Sequence, residues 1–164
     1  MRRALSAAAL LMFALTAAAA PGRFPLVSNG EVLANACTSA GQGALRRELT
    51  ARASKPDEAW RIVHALLCAP ANAQTRALLR SHLGKTVEQR IEATGSEDET
   101  QTVPADDDLV VSLPQAGAAW DAGIDVSGDD IALHFWADEA SVRGRTLRLV
   151  GGKWRIIGTM DASD

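Results

Sequence analysis

Tyrosine is missing altogether from these 164 residues, while cysteine occurs only twice and histidine three times. There is no His-Glu-x-x-His motif and no Cys-x-x-Cys pair, and a zinc site needs three or four such ligands. Neither a metal nor any other cofactor is expected. Gly-x-Ser-x-Gly is also absent, which removes the usual signature of a hydrolase nucleophile. The 17 Lys and Arg are outnumbered by 20 Asp and Glu, and that balance disfavours nucleic acid, which rewards clustered basic residues. Beyond residue 20 no apolar run is long enough to cross a bilayer.

What is present begins with a leader. Met1-Arg2-Arg3 precedes an apolar run from Ala4 to Ala20 that ends in small residues, and Pro21-Gly22 follows. A basic start, a short apolar stretch and a small-residue end are the three parts of a secretory signal. Residues 1–20 are therefore expected to be cleaved on export to the periplasm or beyond, leaving residues 21–164 as one domain with no membrane attachment. Arg2 and Arg3 leave with the signal, so the mature chain carries 15 basic against 20 acidic residues, about −5. In an oxidising compartment Cys37 and Cys68 read as a disulfide. The loop it closes, about 32 residues, corresponds to roughly 3.7 kcal/mol of chain entropy.

The mature chain has two textures. Leu45 and Leu49 mark a short amphipathic helix over 41–53. Ser54-Lys55-Pro56-Asp57 reads as a helix start, with Ser54 as cap, and Trp60, Val63 and Leu67 make an apolar stripe that ends before Pro70. A third helix is predicted from Asn72 to a terminal Gly84. Residues 85–93 fit either period, with strand preferred because the sheet needs partners. Residues 95–108 hold six acids, including Asp106, Asp107 and Asp108, and read as an acidic solvated loop.

From residue 109 the pattern is strand-like. A two-residue turn at Gly128-Asp129 pairs Val126 with Ile131 and Ile124 with Leu133. A second turn at Gly151-Gly152 pairs Leu149 with Trp154 and Leu147 with Ile156. The fold class is α+β, with N-terminal helices packed on a C-terminal antiparallel β-sheet. The same registers put Arg148 opposite Arg155 and place Asp125 and His134 on the outward face. Two answers to the Arg148–Arg155 pair stand open: an acid such as Asp125 or one from the loop, or a bound anion.

Gly84-Lys85-Thr86 copies the end of a phosphate loop, but Leu79 stands where its first glycine belongs. Asp121, Asp125 and Asp129 lack the spacing of a calcium loop. His134 and Asp125 offer a base and an orienting acid without an evident nucleophile.

The closing run Leu147-Arg148-Leu149-Val150-Gly151-Gly152-Lys153-Trp154-Arg155-Ile156-Ile157 resembles the last hairpin of the nuclear-transport-factor-two-like superfamily. That resemblance implies a cone-shaped sheet with a pocket. Enzymes of that superfamily place tyrosines and aspartates there, and this chain has no tyrosine. The expected function is non-catalytic binding of another protein with a basic surface, as an immunity protein or inhibitor of a toxic effector or cell-wall hydrolase would do. Charge complementarity would speed that capture. Asp106, Asp107, Asp108, Asp125, His134, Arg148 and Arg155 are the candidate binding residues. The alternatives are a small-ligand pocket, or a weak enzyme using His134 and Asp125.

Overall fold

A computed structural model describes residues 33–34, 36–93, 99–119, 121–136 and 141–163. The leader expected at 1–20 lies outside the described residues. The chain is α+β. A two-residue strand β1 (Leu33–Ala34) precedes three helices, α1 (Ser39–Arg52), α2 (Pro56–Leu67) and α3 (Ala73–Ser81). Strands β2 (Leu83–Ala93) and β3 (Glu99–Pro104), the short helix α4 (Asp107–Ser112) and strands β4 (Asp121–Ser127), β5 (Asp130–Trp136), β6 (Ser141–Val150) and β7 (Lys153–Ser163) follow.

Local chemistry sets the helix ends. The Thr38 hydroxyl caps α1 by accepting from the Gly41 amide, and Gly41, Leu45 and Leu49 form its buried stripe. Asn72 caps α3 by accepting from the Thr75 amide at 2.9 Å. Ser54, expected to cap α2, does not. Its amide donates to the Gly128 carbonyl at 2.9 Å and its carbonyl accepts from the Trp154 indole at 2.9 Å. Both groups are thus committed to the sheet, and the cap position passes to Lys55 in a left-handed conformation at φ 48°. The third helix stops at Ser81, short of the expected Gly84. There the His82 carbonyl accepts from the Ile156 amide and the ring Nδ1 donates to the Trp154 carbonyl, both at 2.8 Å, so the chain is already joining the sheet. The Cys37–Cys68 disulfide is formed, tying the lead-in of α1 to the end of α2.

The sheet has seven strands in the order β1-β4-β5-β6-β7-β2-β3. Both expected hairpin registers are present: Val126 opposite Ile131, Ile124 opposite Leu133, Leu147 opposite Ile156 and Leu149 opposite Trp154. Gly151 and Gly152 make the second turn at φ 58° and 75°, which side chains other than glycine's rarely adopt. The sheet is mixed rather than antiparallel throughout, because β2 runs parallel to β7. No hairpin joins these two, so no tight turn dictates opposite directions. The stretch read as an acidic loop is also ordered in part: residues 99–104 form β3, antiparallel to β2, and Asp106 begins α4. A strand was not legible there because its side chains are mostly exposed, so no apolar period marks it.

The helices cover one face. Leu45, Leu49, Ile62, Val63 and Leu66 meet Ile131, Leu133, Leu147, Trp154 and Ile156 in one core cluster, all with no exposure.

Candidate ligand-binding site

The cross-strand registers sort the helix-facing side into rows. The deepest row, Val126–Ile131–Leu147–Ile156, is apolar throughout. The next runs Ile124–Leu133–Arg145–Thr159–Gln89–Gln101 across six strands, apolar at one end and polar at the other. The outer row is Ala122–Phe135–Arg143–Asp161–Ile91–Glu99. A bulge between Thr146 and Leu147 on the β6–β7 ladder leaves Ile157 unpaired and brings Thr159 into phase with Arg145.

Arg145 is the anomaly in this arrangement. It is only 6 % exposed, yet among the described residues it makes one hydrogen bond, from Nη1 to the Gly144 carbonyl at 2.7 Å. Its Nε has no acceptor, and its guanidinium lies over the Phe135 ring, 5.2 Å from the centroid. Burial, helped by the neighbouring Arg143 charge and opposed by Asp161, pushes its pKa down to about 10, so it stays cationic at neutral pH. Beside it the Thr159 hydroxyl is buried and also without a partner. Arg143, at the rim, has a charged neighbour: its Nη1 donates to Gln115 Oε1 at 3.4 Å, and its Nε, which makes no hydrogen bond, lies 3.7 Å from Asp161 Oδ2.

Gln115 is held by the loop after α4. Its amide and that of Gly117 donate to the Leu66 and Leu67 carbonyls, both at 2.7 Å, so the loop satisfies two carbonyls left free at the end of α2. Ala116 between them has φ 53°, a strained conformation for a residue with a Cβ and one that concentrates at ligand clamps.

The seven residues singled out from sequence do not converge. Asp106 caps α4 by accepting from the Leu109 amide at 2.9 Å, Asp107 pairs with Arg80, and Asp108 is exposed. Arg148 and Arg155 do face each other, but they are answered separately. Asp130, the cross-strand neighbour, accepts from Arg148 Nε at 2.6 Å, and Arg155 donates to the Ser81 and Leu83 carbonyls at 3.2 Å. Asp125 and His134 lie on the face away from the helices, and their environments differ. Asp125 is exposed, whereas His134 is 6 % exposed with Nδ1 unpartnered. Burial lowers the His134 pKa and Asp125 partly opposes that. Thr146 Oγ1 is a further buried, unpartnered atom on that face, but no charge is stranded there as at Arg145.

Sequence reasoning missed Arg143, Arg145, Gln115 and Thr159. One signal was available: counting back by twos from Leu149 and Leu147 puts Arg145 and Arg143 in phase with the core.

The class this defines is an α+β domain whose sheet carries, on its covered face, a buried cation with no direct ion pair among the described residues. No family model and no curated protein matches the chain. Among solved structures it is similar to a DUF4783 family protein from Bacteroides fragilis, at 12 % identity and TM-score 0.38, over 63 % of this chain and 94 % of that one. It is also similar to two NTF-2-like proteins of unknown function. One, from Silicibacter pomeroyi, has 17 % identity and TM-score 0.37, over 77 % of this chain and 99 % of its own. The other, from Shewanella baltica, has 14 % identity and TM-score 0.39, over 68 % and 97 %. At this level of similarity none bears on what the chain binds.

Proposed function

We propose that this is a non-catalytic binding protein that holds a small acceptor-bearing ligand against the Arg145–Thr159 pair. The observation that supports this most is that two adjacent buried donor atoms, Arg145 Nε and the Thr159 hydroxyl, have no acceptor among the described residues. An unmade hydrogen bond of a buried group costs about 1–3 kcal/mol, more for a charge, and such exceptions call for a reason. A ligand oxygen seated between β6 and β7 would supply it. The disulfide supports the accompanying reading of an exported protein in an oxidising compartment. The test is thermal shift of the purified protein against a panel of neutral and anionic small molecules bearing oxygen acceptors. Stabilisation by a panel member that disappears in Arg145→Met is the expected result. A wild type indifferent to the whole panel would refute it.

A second reading keeps the protein partner with a basic surface, as for an immunity protein or inhibitor. It is favoured by Val111, 53 % exposed, on the same short helix as the exposed Asp107 and Asp108. Asp107→Asn with Asp108→Asn would then slow association with that partner and flatten its salt dependence, because rim charges act mainly on encounter rate.

A further inference from the structure

Resting on the ligand reading above, we infer that the ligand is a monocarboxylate with an apolar body. Its carboxylate sits on Arg145 and Thr159, and its body lies toward Phe135 and Leu133.

Three observations lead there. The first is the donor set. Arg145 Nε and the Thr159 hydroxyl are adjacent across the β6–β7 ladder, and both lack an acceptor. A guanidinium edge is matched in geometry by the two oxygens of a carboxylate. The second is charge. Arg143, with Asp161 at 3.7 Å and Gln115 beside it, shares that carboxylate with Arg145, so among the described residues the Arg143–Arg145–Asp161 cluster is left with one net positive charge. A monoanion balances it, whereas a dianion such as sulfate would bring a surplus charge next to Asp161. Glu99, at the far edge of the outer row, lies three strands from Arg143.

The third observation is the asymmetry around Arg145. On the β5 side its neighbours are Leu133 and the Phe135 ring that already lies against the guanidinium. On the β7 side Thr159 leads to Gln89 and Gln101, whose amides bond each other at 3.4 Å. A molecule with one carboxylate and an apolar remainder matches both directions. An inorganic anion would use only the charge, and a sugar would leave the apolar side unmatched. Burial makes the match count, since a charge-assisted bond is stronger out of water.

The experiment is calorimetric titration of the purified protein with two pairs of probes, octanoate with octanamide and phenylacetate with phenylacetamide, and with sulfate. At least one carboxylate should bind roughly tenfold or more tightly than its amide, the scale of a lost charge-assisted hydrogen bond. Arg145→Met should erase that preference. Thr159→Val, which keeps shape and charge, should weaken the carboxylate several-fold. Arg46→Met, on the exposed side of α1, should change nothing and so controls for general anion binding. Amides bound as tightly as their acids would overturn the carboxylate while leaving a ligand site standing. Sulfate that competes as well as octanoate would overturn the apolar body. Silence from every probe would overturn the inference, and the broader panel then decides the ligand reading separately.

Discussion

Replacing Arg145 by Met should make the ligand-free protein more stable, although the residue is buried in the sheet. A cation whose folded pKa lies below its unfolded one destabilises the fold wherever both states are protonated. The cost is therefore present in full at pH 7 and is relieved only as pH rises above about 10, toward the ordinary arginine value. At 1.36 kcal/mol per pH unit that difference corresponds to roughly 3 kcal/mol. Met preserves an unbranched apolar stem that fills the same space, and it gives up the contact with the Phe135 ring, about 1 kcal/mol. The net expectation is a gain of roughly 2 kcal/mol, several degrees in melting temperature for a domain of this size. The assay is urea unfolding followed by tryptophan fluorescence, on protein refolded from denaturant so that no ligand is carried through. Arg148→Met is the companion variant. Its guanidinium is half-exposed and paired with Asp130, so it should move stability by less than about 1 kcal/mol. If Arg145→Met unfolds more easily than wild type by over 1 kcal/mol, the guanidinium is a structural strut and the binding argument loses its foundation.

Trp154 has no exposure and donates its indole N–H to the Ser54 carbonyl, so Trp154→Ala should cost about 3–5 kcal/mol, read as a fall in the urea midpoint. Denatured, unreduced protein should show no reactive thiol by titration, and Cys68→Ser should cost up to roughly 3–4 kcal/mol on the chain-entropy account. His134 has its pKa lowered by burial from 6.5, so between that folded value and 6.5 the unfolded chain binds more protons and stability falls as pH falls. His134→Asn should flatten the melting temperature between pH 7.5 and 5 relative to wild type, and parallel curves would show that the ring does not govern acid stability.

The two C-terminal hairpins were readable because each carries its own evidence: a glycine turn and apolar residues that fall opposite one another once the turn is placed. β3 was not readable, since Glu99 to Pro104 is an edge strand with little apolar pattern, held by its ladder to β2. The cap of α2 was misread for a related reason. Ser54 has the right side chain, but contacts with Gly128 and Trp154, more than 70 residues away, use its backbone. The candidate site falls between these cases. Arg145 follows the same alternation as Leu147, yet Thr159 reaches its side only through the bulge at Ile157, and a bulge shifts phase without announcing itself in composition. Of the charged residues that stand out in the sequence, Asp106, Asp107 and Arg148 proved to have partners of their own and Asp108 to be exposed. Those that matter most to the site are conspicuous only once their surroundings are known.

Chain order and spatial order disagree in this sheet: β7, the last strand to be synthesised, lies in its interior, between β6 and β2. Until residues 153–163 exist, the β2–β3 hairpin has nothing to attach to and β6 presents an open edge. The chain before Lys153 therefore cannot complete its architecture while growing, and closure has to be a late event linking segments some 70 residues apart. Contacts of such separation slow folding and expose unpaired strands meanwhile. A chain ending near Val150 would consequently lose more than one strand: it would leave two separate fragments of sheet, with β6 an open edge and half of the Arg145–Thr159 pair gone.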